Sequence, residues 1–147
     1  MKLLIGIGNP NFSDDGLGFW TVEALCGEIQ AVHFLSPSLY MVKTLLGKEK
    51  VVIVDAVKLG LKPGEIVELD LTSGQNQKLY GGNSHSVSLS EIITVGYSLF
   101  ADKMPREIKF IGVEAADLET FKNELTEPVK KAFPKVVEKV KNILFPK

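Results

Sequence analysis

Short apolar runs alternate with amphipathic stretches along the chain, and the two periods outline its architecture. Residues 2–7 (Lys-Leu-Leu-Ile-Gly-Ile) carry no polar alternation, the pattern of a strand buried on both faces. Residues 16–30 follow, with Leu17, Trp20, Ala24 and Leu25 at helical spacing. Residues 31–35 (Ala-Val-His-Phe-Leu) read as a second strand. Ser36-Pro37-Ser38 is then a loop, its last serine a candidate cap for a helix running to about Leu46, with Gly47 as the stop. The strongest strand signal is residues 51–55 (Val-Val-Ile-Val-Asp), ending on Asp55. Gly60, Pro63 and Gly64 mark a turn, and residues 65–69 alternate like a strand with one wet face. Residues 72–86 are polar and glycine-bearing, hence a loop; 88–100 read as helix and 108–113 as the last strand. A long C-terminal helix aligns Val129, Phe133, Val136, Val137, Val140 and Leu144 on one stripe. Pro134 interrupts that stripe and predicts a kink or a restart.

Strand–helix alternation at this spacing predicts an α/β fold, a three-layer α/β/α sandwich. Its sheet has about five strands, mainly parallel and twisted, with helices on both faces. The tight turn before residues 65–69 makes that strand the antiparallel one, at an edge. Repeats, linkers and low-complexity tracts are absent from the 147 residues, so residues 1–147 read as one domain.

Composition narrows the function. Hydrophobic residues make up 45% of the chain, enough for a core of this size. A net charge of −1 with no basic patch gives nucleic-acid binding no support. Cys26 is the single cysteine, which excludes a disulfide framework and a multi-cysteine metal site. It falls in the helical pattern and reads as a small buried hydrophobe. The first apolar run is too short for a signal peptide or a membrane span. The expectation is a soluble, cytoplasmic monomer with no membrane partner.

The chemistry concentrates where strands end. The first strand closes on Gly6-Ile7-Gly8-Asn9-Pro10, and the next helix opens with Asp14-Asp15-Gly16-Leu17-Gly18. A glycine-rich strand-to-helix turn usually cradles phosphate. Here Asn11 stands where the dinucleotide pattern wants glycine, and two carboxylates occupy the helix N-terminus. Adjacent like charges are costly unless a cation lies between them. One acid suffices as a helix cap, a role given to Asp14; Asp15 needs another. Asp55 follows four buried aliphatic residues at a strand's carboxyl end, where open α/β sheets bind ligands. A carboxylate there is costly to desolvate without a partner. His85 sits in the polar segment Gly81-Gly82-Asn83-Ser84-His85-Ser86, whereas His33, mid-strand, reads as structural. Two aspartates and a histidine make an oxygen–oxygen–nitrogen set suited to a borderline divalent ion such as nickel or zinc. Asp15, Asp55 and His85 are therefore the candidate metal-contacting and catalytic residues.

These residues resemble the signature of the hydrogenase maturation proteases: Gly6-x-Gly8-Asn9, then Asp14-Asp15-Gly16-x-Gly18, Asp55-Ala56 and His85. Val52-Ile53-Val54-Asp55-Ala56 through Gly60-Leu61-x-Pro63-Gly64-Glu65-Ile66 is similar to the formate-hydrogenlyase and coenzyme-F420 hydrogenase branch. Phe110-Ile111-Gly112-Val113-Glu114 and Thr126-Glu127-Pro128-Val129 also correspond, so the resemblance spans nearly the whole chain. It implies an endopeptidase that clips a C-terminal extension from a [NiFe]-hydrogenase large-subunit precursor after nickel insertion. The family's metal-contacting residues fall on Asp15, Asp55 and His85, and the nickel would arrive with the precursor. One departure stands out: Ser36-Pro37-Ser38-Leu39 replaces the family's Asp-Gly-Gly-Thr.

Two rival readings share the acid pattern. A phospho-receiver domain also sets paired acids after its first strand, but needs a lysine where Gly112-Val113-Glu114 offers none. A nickel chaperone of the same fold without protease activity is the other.

Overall fold

The structure, a computed structural model, describes residues 1–74 and 84–147, the side chains of residues 84–88 excepted. Among the described residues, five strands form one sheet: β1 (Lys2–Ile7), β2 (Ala31–Phe34), β3 (Lys50–Val57), β4 (Ile66–Asp70) and β5 (Glu107–Glu114). Their order is β2-β1-β3-β5-β4. All pairings are parallel except β4 with β5, which is antiparallel and lies at the edge. The helices are α1 (Leu17–Leu25), α2 (Tyr40–Leu45), α3 (Ser84–Phe100) and α4 (Glu127–Leu144). The three-layer sandwich expected from the alternation is the fold observed.

The central strands sort the core by their pleat. Val51, Ile53 and Val57 pack with Met41 and Leu45 of α2 and Leu89, Ile92 and Ile93 of α3. Val52, Val54 and Ala56 pack on the other face with Leu17, Val22 and Leu25 of α1 and Val129, Val136 and Val140 of α4. That period of two is why β1 and β3 read as uninterrupted apolar runs: helices cover both faces. The connection through α1 carries the chain to one side of β1, and the one through α2 returns it to the other. Strand order therefore reverses between β1 and β3.

Several local expectations are corrected. β3 continues two residues beyond Asp55, because Ala56 and Val57 still pair with Val113 and Glu114 of β5. α1 ends at Leu25, and Cys26 is exposed, since its helix buries Leu17, Thr21, Val22 and Leu25 instead. Ser38 caps nothing with its side chain; α2 begins at Tyr40, and only the Ser38 carbonyl accepts, from Met41 N–H. α3 starts at Ser84, four residues before the expected helix, so His85 lies in a helical first turn rather than a loop. α4 runs through Pro134 without restarting. Pro134 is on the exposed side, where water can take the carbonyl that its missing N–H leaves unpaired. Among the described residues no helix is long and apolar enough to cross a membrane.

Candidate functional site

Asp55 is fully buried. It lies between Ile53 and Val57 in the pleat and so faces the α2/α3 side. Its register partner on β5 is Gly112, and the last paired residues of β1 and β3 are Gly6 and Val54. Asp55 is thus the first β3 residue beyond the β1 pairing, beside the strand-order reversal. Its Oδ1 accepts the N–H of Ala56 at 2.8 Å, which fixes the rotamer.

Asp15 comes to the same end of the sheet from the loop after β1, through a 3-10 turn over Ser13–Gly16 that packs on β3. Its Oδ2 accepts the N–H of Asn9 at 2.9 Å. The loop is tightly built around Gly8, whose φ is +126°. A Cβ there would sit 1.8 Å from the Asp15 carbonyl oxygen, so glycine is required on both counts. Gly18 serves the helix start in the same way, since a Cβ would fall 2.3 Å from Ile7 N and 2.7 Å from the Val54 oxygen. All those atoms are backbone and cannot swing aside. Gly18→Ala is therefore expected to cost about 3 kcal/mol, at the upper end of overpacking effects, read as a lowered melting temperature.

Asp14 does something the sequence reading missed. The turn it sits in has no side-chain cap bond, so the capping role is corrected. Its carboxylate is fully buried and reaches across the chain. It accepts from Ala116 N–H (2.9 Å), Asp117 N–H (3.1 Å), Thr126 N–H (2.8 Å) and the Thr126 hydroxyl (2.8 Å). Thr126 is the N-cap of α4, so one carboxylate ties the first loop to the segment joining β5 and α4. Ser13, held at φ +51°, joins this seam through its N–H to Lys122 O and its hydroxyl to Glu124 O. The available signal was Thr126-Glu127-Pro128, a helix start whose first N–H groups need an acceptor.

Asp117 organises the outer part of that segment. Bonds from the Thr120 hydroxyl and from the Thr120 and Glu119 N–H groups hold its carboxyl below the ordinary 3.8. A depressed folded-state pKa adds stability that is present above the unfolded value and lost as pH falls through the folded one. Acid titration below 3.8 should therefore perturb the Glu119 and Thr120 amide resonances before the sheet melts, as NMR would record.

The histidines divide. His33 Nε2 donates to the Gly8 carbonyl at 2.6 Å and its ring meets Phe19 edge-on. The His85 side chain lies outside the described residues. Its helix, however, has a clear polarity: Tyr97, near the end of α3, donates to Pro105 O, and Gly47 N–H binds Lys103 O, both beside the amino ends of the parallel strands. Seventeen residues at a rise of about 1.5 Å make α3 about 25 Å long, so its first turn points back toward the carboxyl ends. Among the described residues no three His, Cys, Asp or Glu side chains gather in a metal-binding group. An apolar hollow of about 460 Å³ between α1 and α4, lined by Trp20, Ala24, Leu125 and Phe133, lies on the opposite face from Asp55.

The hydrogenase maturation protease family model matches residues 36–143, well over half of the chain. The chain belongs to the hydrogenase maturation protease family. The matched stretch contains Asp55 and His85, while Asp15 precedes it. Curated relatives match over that part as well. The hydrogenase expression/formation protein HupD of Rhizobium leguminosarum bv. viciae is 27% identical over 97% of this chain and 73% of its own length. The coenzyme F420 hydrogenase subunit delta of Methanothermobacter thermautotrophicus is 27% identical over 94% of this chain and 90% of its own length. Among solved structures, the [NiFe] hydrogenase maturation protease HybD from Thermococcus kodakarensis superposes with a TM-score of 0.81, at 25% identity, over 97% of this chain and 98% of that one. The hydrogenase maturating endopeptidase HybD from E. coli gives 0.80 at 21% identity, over 95% of this chain and 88% of that one, a likeness of fold. The protein is accordingly a peptidase of the hydrogenase maturation class, a hydrolase. The receiver reading loses its footing, since receivers have strand order 2-1-3-4-5 and here antiparallel β4 lies outside β5.

Proposed function

We propose that this peptidase removes a C-terminal extension from a [NiFe]-hydrogenase large-subunit precursor once nickel is in place, acting in the cytoplasm as a monomer. One observation carries the reading: a fully buried carboxylate, Asp55, lies at the strand-order reversal, with Asp15 held on the adjoining loop. In this reading the nickel belongs to the substrate. Two carboxylate oxygens and an imidazole suit a borderline divalent ion, so Asp15, Asp55 and His85 would contact it together. Nickel so held is positioned to polarise the scissile carbonyl or activate water. The alternative assignment makes one of the aspartates the general base.

A protein substrate also suits the surroundings. Phe12, Leu35, Leu39 and Phe121 are exposed on the loops that follow β1, β2 and β5, at the carboxyl end of the sheet. Apolar side chains grouped on one end of a molecule favour a macromolecular partner. Leu39 belongs to the stretch that departs from the family's Asp-Gly-Gly-Thr, which makes this loop the natural place for precursor selectivity.

The test is mass spectrometry of a nickel-loaded large-subunit precursor before and after incubation with the protein. Release of one C-terminal peptide, absent with nickel-free precursor, is expected. A precursor left intact while nickel passes between the proteins would favour the chaperone reading instead.

A further inference from the structure

We propose that His33 is a positioning residue for Asp15, acting through the single peptide unit that joins Gly8 to Asn9. The His33 ring lies on β2, whose register sets His33 beside Gly6 of β1. Its Nε2 is 2.6 Å from the Gly8 carbonyl oxygen, which can only accept, so Nε2 carries the hydrogen. The N–H of that same peptide unit belongs to Asn9, and it donates to Asp15 Oδ2 at 2.9 Å. His33, the 8–9 peptide and Asp15 therefore form one hydrogen-bonded chain. A peptide group that accepts at oxygen is polarised and donates more strongly at nitrogen, by about 10–30% per bond.

The surroundings give this chain a fixed geometry. Phe19 meets the imidazole edge-on at 5.2 Å between centroids. The Gly8 N–H is bonded to Phe34 O at 2.9 Å, so the peptides on both sides of Gly8 are held by β2. With φ at +126° and the Asp15 carbonyl packed against it, Gly8 has no room to turn this peptide without moving Asp15. An edge strand thus bears on the position of the Asp15 carboxylate through one intervening peptide. The inference deepens the function proposed above, and its activity measurement rests on that reading; its exchange measurement does not.

The competing explanation is that His33 only fills space at the sheet edge. Two variants separate the explanations: His33→Leu, which keeps bulk and loses the donor, and His33→Gln, whose amide nitrogen can reach the position of Nε2. Hydrogen exchange of the Asn9 and Gly8 amides is followed by NMR in both, alongside steady-state processing of the nickel-loaded precursor. In His33→Leu the Asn9 amide should exchange several-fold faster, while the Gly8 amide, bonded to Phe34, keeps its protection. Processing should lose about 10–100-fold in kcat, the usual cost of removing an outer partner of a metal-contacting group, with KM little changed. His33→Gln should restore both. Equal loss of protection at Gly8 and Asn9, or a His33→Gln protein as impaired as His33→Leu, would overturn the proposal. Should neither the wild type nor the variants cleave the precursor, the proposed function fails and the two amides still decide the role of His33.

Discussion

Asp55→Asn is expected to reduce precursor processing by about 10²-fold or more, the scale on which a positioned acid or base contributes to a reaction. The same substitution should lower the melting temperature by only a few degrees. Asparagine is the same size, its Oδ1 can still accept the Ala56 N–H, and it brings no charge into a position with no solvent exposure. Paired measurement of processing rate and thermal melt decides the matter. Lost activity accompanied by a large fall in melting temperature would make Asp55 a structural residue, and retained activity would remove it from the site. Asp15→Asn should resemble Asp55→Asn in activity, because both carboxylates are assigned to the same ion.

Asp14→Ala should behave in the opposite sense. It leaves the Ala116, Asp117 and Thr126 N–H groups and the Thr126 hydroxyl without their acceptor. A buried donor stranded in this way costs about 1–3 kcal/mol. Water can reach some of the vacated space, so a total of about 3–5 kcal/mol is expected, comparable to breaking a buried ion pair. For a chain of this length that corresponds to a fall in melting temperature of about 10 °C. Calorimetry measures it directly. A loss under about 1 kcal/mol would show that the carboxylate is not the clasp of this seam. Of the neighbouring aspartates, Asp14 would thus be the one that folding cannot spare.

The contrast also explains what could be read from the sequence. β1, β3 and β5 were legible because a strand covered on both faces must be largely apolar, and the antiparallel edge position of β4 because a tight turn precedes it. Asp55 was legible as a charge placed after Val51-Val52-Ile53-Val54, an arrangement that folding alone would not favour. Asp14 was legible as the structural acid of its pair, but the clasp that it makes was not. Both acids stand at a helix start, and the partners that make Asp14 a clasp lie more than 100 residues further along. His33 was hidden for a related reason. Its bond to Gly8 depends on the pairing of β1 with β2, and local spacing carries no trace of it.

Those distant partners impose an order on synthesis. The clasp of the first loop requires Ala116, Asp117 and Thr126, which are made 102, 103 and 112 residues after Asp14. Until then Asp14 lacks these donors, while the loop bearing Asp15 is tied to β2 at Gly8. A chain ended after β5 carries all five strands of the sheet but lacks the Ala116, Asp117 and Thr126 donors of the seam. On the role proposed for Asp15, competence to cut would wait until residues 116–126 have been made and the seam has closed.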